Sequence, residues 1–179
     1  MKATFIDNSE DYFFTFNYTS VLERIYRVPS NHILHIHGGL YPYCDEPPIL
    51  GHGNVKKIKE YREKAERAAE EYDEGKESIY NAVANYYERT FKNTNECMSF
   101  RGIFFRQLTE VNNVEIIGHS FGEVDMPYFT YLKYCISKNA KWKFYYHSSE
   151  DYNAAEKAVK ELELDIGDYE ILPSAFLWQ

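Results

Sequence analysis

The sequence is short of cysteine, and it has no long apolar run. Its three cysteines, Cys44, Cys97 and Cys135, are an odd number at unrelated spacings with no CxxC pair, which argues against a disulfide framework or a four-cysteine zinc module. No stretch is long enough to span a bilayer, and residues 1–7 do not form a signal peptide. We therefore expect a cytoplasmic protein in a reducing compartment, without a membrane partner.

Positive charge is also scarce. The chain has 20 Lys and Arg against 28 Asp and Glu, a net charge of −8, and its basic residues are scattered among acids. Nucleic-acid binding depends on clustered Lys and Arg that replace counterions on phosphates. We therefore expect no nucleic-acid partner. The 17% aromatic content, with 17 Tyr, is typical of strands and half-buried helices that pack a ring and hydrate a hydroxyl.

Short apolar runs alternate with segments of helical spacing along the chain. The runs predict strands at 12–16, 32–36, 114–117, 141–146 and 170–172, and the spacing predicts helices at 21–26, 55–91, 100–110, 125–137 and 154–162. Gly75-Lys76 divides the second helical segment into two helices. The pattern predicts one α/β domain over 1–179, a Rossmann-like parallel sheet with helices on both faces and a helical insert at about 55–110. The charges of this insert are typical of a solvated face.

Three polar loops follow predicted strands: Thr15-Phe16-Asn17-Tyr18-Thr19, His35-Ile36-His37-Gly38-Gly39 and Gly118-His119-Ser120. Ligands of parallel α/β sheets bind beyond the carboxyl ends of the strands. The position of these loops alone makes them candidates for one shared site.

The second loop allows two interpretations. His35 and His37 lie two apart on a strand and so share a face, which with His52 and His119 nearby would suit zinc, although no carboxylate or thiolate has metal-ligand spacing. His37 before Gly38 and Gly39 instead indicates an imidazole at a ligand-approach turn, able to act as a base or a hydrogen-bond donor. In the first loop, Asn17 with Thr15 and Thr19 offers polar groups for a water or a ribose hydroxyl, or simply a helix cap.

The third loop also has two interpretations. Gly118-His119-Ser120-Phe121-Gly122 matches the G-x-S-x-G elbow of α/β-hydrolases. That family needs a later acid and histidine, and the only later histidine is His147, whereas Asp125 is only five residues away. Alternatively, the glycine turn, the hydroxyl of Ser120 and a following helix N-terminus form a cradle for phosphate or ribose oxygens, with Asp125 as a helix cap.

Taken together, these motifs resemble the bacteriophage abortive-infection AbiH family. The resemblance rests on residues 14–19 with Leu22-Glu23, on residues 35–38, and on residues 116–120 with Asp125 and Tyr128-Phe129. AbiH proteins in turn look similar to sirtuin-like enzymes that bind or hydrolyse NAD. The resemblance implies that Asn17 and His37 are catalytic and that nucleotide is bound by Thr15, Thr19, Gly38, Gly118, Ser120 and Asp125, with no metal.

Two departures from the sirtuin-like pattern stand out. The position of its loop aspartate is occupied by Thr19, and nothing before Tyr12 is glycine-rich. Either the chain is a fragment that lacks the N-terminal glycine-rich strand-loop-helix, or it works without the usual dinucleotide pocket.

The sequence supports three functional hypotheses, of which the first is preferred. The first is an antiphage protein with a sirtuin-like nucleotide site that cleaves NAD, triggered by a phage or host protein and compatible with a homo-oligomer. The second is a non-catalytic interaction module of the same fold. The third is a serine esterase that uses the elbow at Ser120.

Overall fold

A computed structural model describes residues 10–40, 42, 44 and 46–178. The strands and helices follow in chain order as β1 (Phe13–Thr15), β2 (Ile33–His35), α1 (Val55–Glu70), α2 (Glu74–Arg89), α3 (Thr94–Ser99), α4 (Gly102–Arg106), β3 (Asn113–Ile117), α5 (Met126–Cys135), β4 (Lys141–Tyr146), α6 (Ser149–Glu161) and β5 (Tyr169–Pro173). Single helical turns occupy Leu22–Tyr26, Ser30–His32 and Ser174–Trp178.

Parallel pairing and the mixed α/β class are confirmed. β1 pairs with β2, with Phe13 opposite Ile33. β4 pairs with β3 on one side and with β5 on the other, all in parallel. The described strands therefore form two small parallel sheets, β1-β2 and β3-β4-β5, where a single Rossmann-like sheet was predicted. Strand spacing indicates which segments are extended, but it does not specify which strands become neighbours.

The chain divides into two compact units, of which the first comprises Met1–Pro48 and Asn95–Gln179. Its apolar core consists of side chains from α4, β3, α5, β4 and α6, and Phe14 of β1 packs against it together with the flanking Tyr12 and Phe16. Phe105, Tyr128 and Phe144 are among the largest buried side chains of this unit, and each is at most 2% exposed. Both sheets and all three candidate loops belong to this first unit.

The second unit comprises Ile49–Thr94 and contains the predicted helical hairpin. Asn54 and Asp73 cap α1 and α2, each accepting a backbone N–H three residues on. Arg62 joins the helices by bonding the carboxylate of Glu88 and the amide oxygens of Asn81 and Asn85. The predicted break at Gly75-Lys76 was misplaced, because the Asp73 cap starts α2 at Glu74 and leaves the glycine inside its first turn.

Two other predicted helices have different bounds in the structure. The helix expected at 100–110 is replaced by α3 and α4, which Arg101 separates with a non-helical backbone. The segment after β1 is a single turn of π-helix, closed by Arg27 in a left-handed conformation at φ 62°. No helix in the described residues has both the length and the apolar character needed to cross a membrane.

Candidate functional site

The first loop leaves β1 with its polar groups turned outward and one aromatic ring turned inward. Asn17 is exposed, and its backbone N–H donates to Oγ1 of Thr15 at 3.1 Å. Between them, Phe16 turns inward, and its ring centroid lies 4.4 Å from that of His119 and 5.6 Å from that of His37. Phe16 therefore brings the first loop into contact with both of the others.

His35 ends β2 as a structural link. Its Nδ1 lies 2.8 Å from the backbone oxygen of Asn17, and its Nε2 lies 2.8 Å from Oε1 of Glu23. Both ring nitrogens of His35 therefore face an oxygen atom of a neighbouring segment. His35 thus ties β2 to the first loop and to the helical turn that follows it.

His37 lies beyond the end of β2 and faces a different partner. Its Nε2 is 3.4 Å from Oδ1 of Asp125, and the residue is only 3% exposed. The other carboxylate oxygen, Oδ2, lies 3.7 Å from Nε2 of His119. One carboxylate therefore stands between two imidazoles, and it joins the second loop to the residue that precedes α5.

His119 is fixed by the turn in which it lies. Its Nδ1 accepts the backbone N–H of Phe121 at 2.9 Å, so the neutral ring carries its proton on Nε2, toward Asp125. Burial lowers the pKa of His119 below its usual value; the nearby charge of Asp125 opposes this shift, whereas His37 adds to it. The arrangement favours a neutral imidazole whose Nε2–H faces the carboxylate of Asp125 at 3.7 Å.

Two tyrosines complete the surroundings of Asp125. Burial, and then the charge of Asp125, raises the pKa of Tyr18. The pKa of Tyr128 is raised chiefly by burial and further by the thiol of Cys97, and the ring of Tyr128 lies 5.2 Å from that of His37. Asp125 itself remains 20% exposed. The carboxylate is thus the charged group of this cluster that solvent can reach.

The glycine turn after His37 is required by close packing. Gly38 has φ +71°, and a Cβ there would collide with the backbone oxygen of Pro47. The backbone N–H of Gly39 donates to the oxygen of Glu46 at 3.0 Å. In the described residues, this glycine pair accommodates the chain at 46–47, whereas the sequence suggested a close approach to a ligand.

A groove of about 810 Å³ runs between β1 and β3, and one end of it meets this site. Of the predicted site residues, Thr15, Asn17 and Gly118 line it, together with His119, whereas His37, Gly38, Thr19, Ser120 and Asp125 do not. Thr19 and Ser120 are exposed. The three loops do meet, but their polar groups are divided between the groove and the cluster behind Phe16.

The described residues assemble neither a metal centre nor a serine triad. No group of three or more potential ligands occurs among them. α5 begins at Met126, and it is Phe121, rather than Ser120, that takes the left-handed φ of 52°. His147 directs Nδ1 to the hydroxyl of Ser174 at 3.4 Å. This turn therefore differs from a nucleophile elbow, in which the serine itself occupies the strained position between strand and helix.

A family comparison covers all three of these loops. The sequence model described as bacteriophage abortive infection AbiH matches residues 2–146, and so covers all three loops. The chain belongs to the AbiH family. Neither the comparison with curated proteins nor the comparison with solved structures gives a match. Membership of AbiH places the chain in defence against bacteriophage by abortive infection.

In this AbiH chain, His119 is more central to the site than its sequence pattern indicated. It was considered only as a possible zinc ligand beside His35 and His37, although it lies between Gly118 and Ser120 in the motif itself. The available signal was its position directly after a strand and a glycine, at the carboxyl end of a strand, where ligands of parallel sheets bind. The pairing of His119 with His37 through Asp125 needed three-dimensional coordinates, because the two histidines are 82 positions apart.

Proposed function

We propose that this protein acts in antiphage defence by cleaving the glycosidic bond of a nicotinamide nucleotide, with Asp125 as the central group. The observation that supports this is the carboxylate of Asp125, held between the Nε2 atoms of His37 and His119 at 3.4 and 3.7 Å. Cleavage builds positive charge on the ribose, and a fixed, partly desolvated carboxylate stabilises that charge.

The proposed step is a hydrolysis. The oxygen of a water molecule bonds to the anomeric carbon, the carbon–nitrogen bond breaks, and nicotinamide leaves with the bonding electron pair. The water proton passes to solvent or to the carboxylate. His37 is 3% exposed and so acts as a positioning residue that orients Asp125, while Asn17 and Thr15, at the groove end, are placed to hold the ribose hydroxyls or the water.

Charge decides which half of the dinucleotide fits. The charged side chains that line the groove are acidic, Glu10, Asp11 and Glu115, and the described lining contains no Lys or Arg. Such a surface attracts the cationic nicotinamide ring and repels a pyrophosphate. Gly118 and Ser120 remain the proposed phosphate or ribose contacts, and they favour the ribose because the carboxylate of Asp125 stands at the N-cap of α5.

The test is nicotinamide release from purified protein given NAD or nicotinamide riboside, which lacks phosphates. We expect the riboside to be cleaved at least as fast as NAD. Asp125→Asn should lower the rate at least about a hundredfold, and His37→Ala and Asn17→Ala should lower it less. Asp165→Asn, an exposed acid remote from the loops, is the control. Nicotinamide release that persists in both Asp125→Asn and His37→Ala would show that this cluster is not the active site.

A second candidate function is a non-catalytic module of the same defence system. The burial of His37 supports it, because no imidazole of the cluster is free to take a proton from a substrate: Nδ1 of His119 is occupied by Phe121. Calorimetry with ADP-ribose and with nicotinamide riboside separates the two candidates. Heat of binding without nicotinamide release supports the module, whereas release supports the hydrolase.

A further inference from the structure

The groove between β1 and β3 has the geometry of an unfilled strand position. Every residue of both strands lines it, yet β1 pairs only with β2, and β3 pairs only with β4, among the described residues. Two strand edges therefore face the same cavity. Inward-facing edges of this kind expose backbone groups that native sheets normally pair or cover.

The hydrogen-bond register shows which backbone groups face the groove. The N–H of Ile36 donates to the oxygen of Thr15 at 3.1 Å, so Thr15 faces β2 and Phe14 faces away from it. The N–H of Lys141 donates to the oxygen of Asn112 at 2.8 Å. Successive residues of a strand face opposite edges, so the groove-side residues of β3 are Asn113, Glu115 and Ile117.

The two edges run in the same direction. Their carboxyl ends meet where the ring of Phe16 lies 4.4 Å from that of His119. Before the start of β1, the pKa of Asp11 is raised by burial and then by the charge of Glu115, the central residue of β3. A strand placed between β1 and β3 would pair in parallel with both and join the two sheets into one.

The residues that line the groove indicate which side chains such a strand would carry. Ile116 is 8% exposed and Ile117 is 41% exposed, so β3 has one buried and one open face. Apolar residues of α4, α5 and their flanking turns line the groove, namely Phe104, Leu108, Phe129, Leu132 and Ile136. The matching strand alternates apolar with polar residues, and the acidic lining at Glu10, Asp11 and Glu115 favours a basic residue at its amino end.

From these features we infer that the groove binds an extended segment of a partner polypeptide, of about five residues, as a parallel strand between β1 and β3. The described strands of a second copy do not supply it, because each of them already has at least one paired edge. The carboxyl end of the added strand would lie beside Asn17 and His119. Because the same acidic lining is proposed to attract the nicotinamide ring, the added strand and the nucleotide would compete for the groove.

The test uses the full chain and a synthetic peptide, acetyl-Lys-Ile-Thr-Val-Thr-Ile with a carboxyl-terminal fluorophore. Fluorescence anisotropy should show saturable binding. The same peptide N-methylated at both threonines keeps its side chains but loses two donors, and it should bind about tenfold more weakly. A peptide with Glu in place of Lys should bind more weakly, with a difference that shrinks as salt is added.

Hydrogen exchange locates the peptide. Bound peptide should slow exchange at the N–H groups of Phe14, Asn113, Glu115 and Ile117 and leave β5 unchanged. Glu115→Pro removes a groove-side donor without breaking the ladder to β4, so it should weaken binding several-fold. Glu115→Gln keeps that donor and should bind within about twofold of the wild type. Retained protection of β4 shows that each variant is folded.

Three results would overturn the inference. The first is equal binding of the N-methylated peptide, and the second is protection at the outer edge of β2 or β5 instead of the groove. The third is wild-type protein whose groove-side N–H groups are already protected without peptide, because a segment of the same chain would then fill the position. None of these outcomes depends on nicotinamide release, so the two proposals fail separately.

Discussion

Asp125 shares its carboxylate between two histidines that differ in their other contacts. Nδ1 of His119 accepts a backbone N–H from Phe121, whereas Nδ1 of His37 is buried without a hydrogen-bond partner in the described structure. A buried, unpaired nitrogen costs about 1–3 kcal/mol of stability. Such a cost is typical of residues kept for a functional reason, and here the reason proposed is the orientation of Asp125.

The lowered pKa of His119 makes a pH-dependent contribution to stability. Burial depresses the pKa of His119 below its ordinary value of 6.5, so the unfolded chain binds the proton more readily than the folded chain does. The contribution of His119 is therefore complete above pH 6.5 and is lost as the pH falls below it.

We expect the free energy of unfolding of the wild type to fall more steeply between pH 7.5 and pH 5.5 than that of His119→Asn. Asparagine keeps an acceptor for the N–H of Phe121 but does not titrate in this range. Urea unfolding at the two pH values measures the difference. Parallel losses in both proteins would mean that His119 titrates normally.

Gly38 is predicted to tolerate no side chain. Its φ of +71° is strained for any other residue, and a Cβ would meet the Pro47 carbonyl, so Gly38→Ala should cost roughly 2–4 kcal/mol. Gly118 has φ +64° but open space around it, so Gly118→Ala should cost about 1–2 kcal/mol. Gly102 also lies in open space but has no positive φ. Gly102→Ala is therefore the matched control, and it should change the free energy of unfolding by less than about 0.5 kcal/mol. Denaturant unfolding of the three variants gives the order, and a Gly38→Ala cost no larger than that of Gly102→Ala contradicts it.

At the scale of elements, α6 owes its start to a capping box. The side chain of Ser148 accepts the N–H of Asp151 at 3.2 Å, and Oδ2 of Asp151 accepts the N–H of Ser148 at 3.0 Å. Ser148→Ala should therefore lower stability by about 1 kcal/mol. Ser149→Ala, one residue into the helix, should be nearly neutral by thermal unfolding. Equal effects of the two substitutions would show that the box contributes little.

Local patterns predicted most strands and helices of the chain. The run at 141–146 was predicted with the bounds that β4 has, because its aromatic residues fit a pleated, half-buried surface. The break between α1 and α2 was misplaced because a glycine was preferred over Asp73, although an aspartate cap is the stronger start signal. The division into two sheets could not be predicted, since it depends on contacts between segments about a hundred residues apart.

The position of the candidate site was predictable from the sequence, but the contacts between its side chains were not. Strand order along the chain located three loops at one edge, and the contacts among Phe16, His37 and His119 confirm that they meet. Which polar atoms share a cavity depends on rotamers and packing, so Ser120 and Thr19 point to solvent and His37 lies under Phe16. The assignment of catalytic and nucleotide-binding residues stays a prediction until the variants are measured.

At the scale of the whole molecule, the chain contains two units whose buried apolar side chains differ in size. The first unit buries large aromatic side chains such as Phe144, which is 1% exposed. In Ile49–Thr94, the buried apolar residues described are three alanines, Ala65, Ala68 and Ala84. Burial of an alanine stabilises far less than burial of a phenylalanine, so the second unit should open at a lower free energy than the first.

Hydrogen exchange with mass spectrometry tests this difference, because each unit is expected to open as a separate cooperative block. Amides of α1 and α2 should exchange faster than those of β4 in the wild type. Phe144→Leu should speed exchange about fivefold or more within the first unit alone. Ala84→Gly, which adds backbone freedom at a buried helical position, should act on the second unit alone, by a factor of about five. If either substitution accelerates exchange throughout the chain, the two units unfold as one, and the helical hairpin is then part of the same cooperative structure that holds Asp125 in place.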